Sequence, residues 1–235
     1  MSETGVGVPL NAPVDAVLFD IDDTICEYER STGELLAHAF ERAGVDPFFE
    51  TRDYVSRYSA FLDESESVSD LRERCFVDIA REQGRNPDLA RDVAHAFTAE
   101  RDHTRVRWLD GAQEVLDRFE DEYRLAAVTN GSPKMQAQKL GTLGVECFET
   151  VVYAGYDTRG KPDPEPFEVA LDAVETSPDR AVYVGNSLDS DVRGAHNAGV
   201  RAAWIANGDR TDPTPTPEYV LDTPGELLEL SWVWY

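Results

Sequence analysis

A doubly wound, mainly parallel α/β sheet interrupted by a helical insert is the fold that the sequence predicts, on three observations. Short apolar runs of strand length recur at residues 14–18, 125–128, 151–153, 181–184 and 202–205, each bounded by polar or turn residues. From Asp110 onward these runs alternate with helical stripes, and parallel strands need crossovers of that kind. Between residues 31 and 103 no strand signal appears, and helical stripes follow one another.

Taken in order, residues 1–13 hold Gly, Pro, Ser and Thr without periodicity and read as a loose arm. The first apolar run ends abruptly in Phe19-Asp20-Ile21-Asp22-Asp23-Thr24, so charge begins where a buried strand becomes a loop. Leu35, Leu36, Ala39, Phe40 and Ala43 then mark a helix closed by Gly44. Asp46-Pro47 and Asn86-Pro87 each pair an N-cap residue with Pro at a first helical position. The stripes Phe48, Val55, Tyr58, Leu62, then Val68, Leu71, Phe76, Ile79, then Leu89, Val93, Ala96, Phe97 complete a four-helix insert. Helices follow around Val115 to Phe119, Met135 to Leu143, Phe167 to Val174 and Asp191 to Ala198, each beside one of the later strands. A Thr/Pro connector at 211–217 leads to a last strand near Tyr219 to Leu221. Trp232, Trp234 and Tyr235 close the chain, against the core or against a partner.

The composition excludes several classes of function. The 235-residue chain carries 46 acidic and 22 basic residues, a net charge of -24. Its lysines are Lys134, Lys139 and Lys161 alone. Such a surface repels nucleic acid and anionic membranes. It suits concentrated salt, where screening shortens to about 3 Å at 1 M, and predicts a halophilic protein. Cys26, Cys75 and Cys147 have no CxxC spacing, and neither a leader nor an apolar run of membrane length is visible. A reducing cytoplasm fits this pattern. Cys26 has no basic neighbour in sequence and reads as a small packed hydrophobe.

Ligands bind at the carboxyl ends of strands in parallel sheets, and four such ends carry polar groups. Asp20 and Asp22 crowd acids together, as a surface turn does and as a cation site does. Thr129-Asn130-Gly131 offers a hydroxyl, an amide and free N–H groups near a helix start, suited to a phosphate, although Asn-Gly is also an ordinary turn. Lys161 precedes Pro162-Asp163-Pro164-Glu165, and a lysine just ahead of a helix is either a solvated charge or an anion partner. The segment 185–191 (GNSLDSD) supplies oxygen donors, with Asp191 also readable as a helix N-terminal acid.

In this order, with DxDxT at the first strand and Lys-Pro-Asp-Pro at the third site, residues 14–206 resemble the haloacid dehalogenase superfamily of aspartate-nucleophile phosphatases. The resemblance implies a Rossmann-like core over 1–25 and 109–235 and a helical cap over 26–108. It implies that Asp20 attacks phosphorus and that Asp22 is the acid and then the base. Thr129 would bond a phosphoryl oxygen, assisted by backbone N–H groups around Ile21, Asp22 and Asn130, with Lys161 neutralising both the phosphoryl charge and Asp20. Mg²⁺ would be held by Asp20, Asp22 (through its main-chain carbonyl), Asn186 and Asp191. The substrate would be a small soluble phosphate, with no nucleic acid or membrane partner.

Where the family usually has Asp as the first acid of its fourth motif, this chain has Asn186, so the site loses a negative charge and Asp191 is expected to act through water or neighbouring groups. The dehalogenase branch lacks the carboxylate represented by Asp22. A sugar-phosphate mutase would keep every residue named, and a weakly active binding relative would follow if Asn186 abolished metal binding. Tyr28, Arg30, Arg57 and Arg105 are candidates for facing a substrate from the insert. His38, His95, His103 and His196 do not share a metal-ligand spacing.

Overall fold

The structure is a computed structural model and describes residues 13–61, 65, 67–209 and 211–230. Most of the expected N-terminal arm, Leu62 and the terminal Trp232, Trp234 and Tyr235 lie outside the described residues. The chain divides into two compact units, one built from the residues up to Glu27 and from Val106 onward, the other from Tyr28–Arg105.

In the first unit six strands form a sheet with order β5-β4-β1-β6-β7-β8. They are β1 (Ala16–Phe19), β4 (Arg124–Thr129), β5 (Thr150–Tyr153), β6 (Ala181–Gly185), β7 (Arg201–Ile205) and β8 (Tyr219–Leu221). All neighbouring pairs are parallel. Two short strands, β2 (Cys26–Tyr28) and β3 (Val106–Trp108), pair separately where the chain leaves and re-enters this unit.

Both faces of the sheet are covered, which is why its strands read as unbroken apolar runs. Val17, Phe19, Leu125, Ala127, Val182 and Val184 pack on one side with Val115, Leu116 and Phe119 of α5 (Ala112–Glu122). Leu18, Ala126, Val128, Tyr183 and Trp204 pack on the other with Phe167, Ala170 and Leu171 of α7 (Glu165–Ala173). β1 lies between β4 and β6, so the winding reverses there, and that reversal opens a crevice at the strand's carboxyl end.

The second unit holds α1 (Thr32–Ala43), α2 (Thr51–Phe61), α3 (Val68–Glu82) and α4 (Pro87–Glu100). Ser31 and Glu34 cap α1 reciprocally, and Gly44 ends it at φ 65. Asn86 Oδ1 accepts the Asp88 N–H at the start of α4, as expected. Asp46-Pro47 does not open a helix. Phe48 and Phe49 both pack on Phe40 instead, with ring centroids at 5.4 and 5.1 Å, and α2 begins at Thr51. This is a packing preference overriding a local signal. The core is an edge-to-face aromatic cluster of Phe40, Phe49, Tyr54, Phe76 and Phe97.

Candidate active site

The turn after β1 is tight. Ile21 O accepts the N–H groups of Ile25 at 3.1 Å and Cys26 at 3.3 Å, the Asp23 N–H donates to Cys26 O at 2.8 Å, and Asp23 sits at φ 54. Asp20 is tied to the next strand by its own N–H, which donates to Val184 O at 2.8 Å. Its side chain is buried. Burial pushes the Asp20 carboxyl up to about 7; the Lys161 ammonium pulls it down, while the charges of Asp191 and Asp22 push it further up.

Lys161, itself buried, reaches this carboxylate. Its Nζ lies 2.8 Å from Asp20 Oδ1, 2.7 Å from Asp191 Oδ1, 2.8 Å from the Tyr183 hydroxyl and 2.9 Å from Val128 O. An ammonium has three N–H donors, so four acceptors surround it completely. Burial alone would lower its pKa, yet the Asp191 and Asp20 charges raise it above the ordinary lysine value. Asn130 fixes the lysine's backbone, its Oδ1 accepting the Lys161 N–H at 2.9 Å and its Nδ2 donating to Lys161 O at 3.2 Å. The Asn130 side chain thus braces the loop that delivers Lys161, a role separate from the phosphoryl contact expected of its backbone N–H.

After β6 the chain makes a wide π-type turn over Leu188–Val192 and runs into α8 (Arg193–Asn197). That turn, and not a regular helix from Asp191, carries the fourth polar cluster. Asp191 is buried; Oδ1 faces Lys161 and Oδ2 accepts the Ser187 N–H at 2.9 Å. Gly185 permits this, since a Cβ there would sit 2.6 Å from the Asp191 carboxylate. Both its oxygens accept hydrogen bonds from the protein, and Oδ1 is a counter-charge to Lys161. Asn186 is half-buried, its main-chain carbonyl accepting from Trp204 Nε1 at 2.8 Å.

Two buried carboxylates thus share one ammonium. That deficit of positive charge around Asp20 and Asp191 is of the kind a hard cation offsets. Among the described residues no group of three or more His, Cys, Asp or Glu side chains is placed to hold a metal ion.

Two functional candidates escaped the sequence reading. α6 (Pro133–Leu143) begins just after Thr129-Asn130-Gly131 and carries Gln136 and Lys139, both buried. Gln136 Nε2 donates to Asp22 Oδ2 at 2.6 Å and to Thr129 Oγ1 at 2.9 Å, and Lys139 Nζ pairs with Asp22 Oδ1. Their signal was a pair of polar residues, one turn apart, on the same stripe as the core residue Leu140. From the insert, Arg30 is paired with Glu100, Arg57 with Asp78 and Glu82, and Arg105 with Glu29. Each of these arginines is therefore answered within its own unit. Tyr28 OH lies 2.7 Å from His103 Nδ1.

A buried carboxylate thus stands at the sheet's topological switch point. Residues 17–205 match the haloacid dehalogenase-like hydrolase family, and the chain belongs to that family. The phosphoserine phosphatase of Thermus thermophilus is 31% identical over 91% of this chain and 96% of its own. The glyceraldehyde 3-phosphate phosphatase of Methanopyrus kandleri is 32% identical over 92% and 97%. The magnesium-bound HAD-hydrolase YfnB of Bacillus subtilis shares the fold, with a TM-score of 0.72 at 23% identity over 93% of this chain and 98% of that one. Within the family the chain is an enzyme of the phosphatase branch.

Proposed function

We propose that the protein hydrolyses phosphomonoesters of small soluble metabolites through an aspartyl-phosphate on Asp20, with Mg²⁺ as cofactor. The observation that carries this reading is the contact of Lys161 Nζ with Asp20 Oδ1 at 2.8 Å. It leaves the second oxygen of Asp20 to attack, beside a fixed cation that offsets the repulsion between a carboxylate and a phosphate dianion.

In the first step Asp20 bonds to phosphorus as the ester P–O bond breaks, and Asp22 gives a proton to the departing alkoxide. In the second, Asp22 takes a proton from water, the water oxygen attacks phosphorus, and the acyl-phosphate bond breaks to restore the Asp20 carboxylate. Thr129 donates to a phosphoryl oxygen. Mg²⁺ held by Asp20, the Asp22 carbonyl and Asn186 would supply Lewis-acid neutralisation of the phosphoryl charge. The helical unit would act as a cap that excludes water and selects the leaving group.

Two curated relatives act, by name, on three-carbon primary phosphates, phosphoserine and glyceraldehyde 3-phosphate. Compounds of that size are the substrates we favour. Free thiols at Cys26, Cys75 and Cys147 suit a cytoplasmic setting. The test is phosphate release from an aryl phosphate with Mg²⁺ in high salt, followed by a panel of phosphorylated metabolites. Activity that survives Asp20→Asn would overturn the reading, and delivery of the phosphoryl group to an added sugar instead of water would make the protein a mutase.

A further inference from the structure

We infer that Gln136 is a positioning residue that commits the Thr129 hydroxyl to donating its single proton outward, and thereby sets the affinity of the site for phosphate. The inference rests on the phosphatase reading and deepens it.

Gln136 Nε2 donates to Asp22 Oδ2 at 2.6 Å, and the same nitrogen donates to Thr129 Oγ1 at 2.9 Å. Thr129 is consequently the acceptor in that contact. The Gly131 N–H donates to the same Oγ1 at 3.1 Å. A hydroxyl has two lone pairs and one proton. With both lone pairs occupied, the Thr129 proton can only be given away.

Two further observations show how firmly the amide is held. Gln136 is fully buried, yet its Oε1 has no hydrogen-bond partner. All of the hydrogen bonds this side chain makes therefore run through Nε2, to Asp22 and Thr129. Gly131 has no side chain where one would collide, since a Cβ there would lie 1.9 Å from Gln136 Nε2. Lys139, one turn further along α6, holds the other oxygen of Asp22. The amide thus fixes two groups of the proposed reaction at once.

The test is a double-mutant cycle read out by competitive inhibition with inorganic phosphate. Gln136→Leu should weaken phosphate binding about tenfold, as expected for losing control of one hydrogen bond to a charged ligand. Thr129→Val should weaken it at least as much. The double variant should bind phosphate within about twofold of Thr129→Val alone, because Gln136 acts through that hydroxyl. Gly131→Ala, which displaces the amide, should resemble Gln136→Leu. Should Gln136→Leu fail to fold, Gln136→Met substitutes an unbranched side chain at the same place. Independent, multiplicative effects, or unchanged inhibition in either single variant, would overturn the inference. Loss of activity in Asp20→Asn alongside such a result would leave the phosphatase reading intact, whereas activity in Asp20→Asn would remove the reading itself.

Discussion

The Lys161 ammonium lies 2.8 Å from the Asp20 carboxylate although 141 residues separate the two in sequence. Parallel pairing brings this about: β1 is flanked by β4, whose Val128 carbonyl accepts from Lys161 Nζ, and by β6, which leads to Asp191. Removing one partner of a buried charge set costs about 3–5 kcal/mol, because the other charges stay buried and unanswered. Lys161→Met should therefore lower stability by that order and cut phosphate release by at least ~10²-fold. Adding Asp191→Asn to it should recover part of the stability, since one carboxylate fewer is left without a cation, and none of the activity. Thermal melts and phosphate assays on the two variants check this, and a double variant no more stable than the single would contradict it.

Asp20, pushed up to about 7 by burial, is partly protonated near neutral pH before a cation arrives. A bound divalent cation favours the carboxylate, so binding must expel that proton. The sign follows directly. Proton release on Mg²⁺ binding should be substantial at pH 6 to 6.5, fall through pH 7, and vanish by about pH 8.5, where Asp20 is already ionised. Calorimetric titration in two buffers of different ionisation enthalpy measures it, and Asp20→Asn should release none.

Asn186 offers an amide oxygen where a carboxylate would add charge. Its backbone is anchored through Trp204, so Asn186→Asp should leave the turn in place. The variant should bind Mg²⁺ about tenfold more tightly, as expected for one more charged ligand. Equal or weaker binding in the same calorimetric titration would contradict the proposed donor set.

Cys26 follows the acidic turn and could be mistaken for a reactive thiol. Burial, reinforced by the Asp22 charge, pushes it up to about 12. Thiolate is the reactive form, so the folded protein at pH 8 should leave Cys26 unalkylated by iodoacetamide over a time in which the unfolded chain reacts fully. Peptide mass spectrometry distinguishes the two.

Much of this was legible in the sequence for a simple reason. Strands buried on both faces leave uninterrupted apolar runs, and the polar residues that follow them draw attention to Asp20, Thr129 and Asn186. Each of these, like Lys161 ahead of its helix, has an ordinary reading alone, and only their order together, through the family resemblance, suggests roles. What pairs with them could not be read. Tyr183 reads as one more aromatic in a strand, and only the register of β6 against β1, which sets Tyr183 opposite Leu18, brings its hydroxyl to Lys161. Gln136 and Lys139 lie on a helix whose buried face is recognisable, but a polar residue there gains meaning only once the turn carrying Asp22 is packed against it. Asp191 reads locally as an oxygen donor or a helix N-terminal acid, and the lysine it meets, 30 residues upstream, is invisible to that reading. Side-chain partnership across the sheet is a tertiary property, and local spacing does not encode it.

Surface charge sets the last expectation. The chain carries 46 acidic against 22 basic residues, and many arginines are already matched in exposed pairs such as Arg124 with Glu149 and Glu175 or Arg159 with Asp163 and Glu165. Exposed pairs contribute about 0–1 kcal/mol each and weaken with salt. The unmatched acids repel one another, and salt weakens that repulsion too. The two effects oppose, and the surplus of acids decides between them. The melting temperature should therefore rise by several degrees between about 0.1 and 2 M KCl, most steeply at the lower end, where the Debye length shortens fastest. Thermal melts across that range measure it, and a falling melting temperature would mean that the ion pairs outweigh the repulsion.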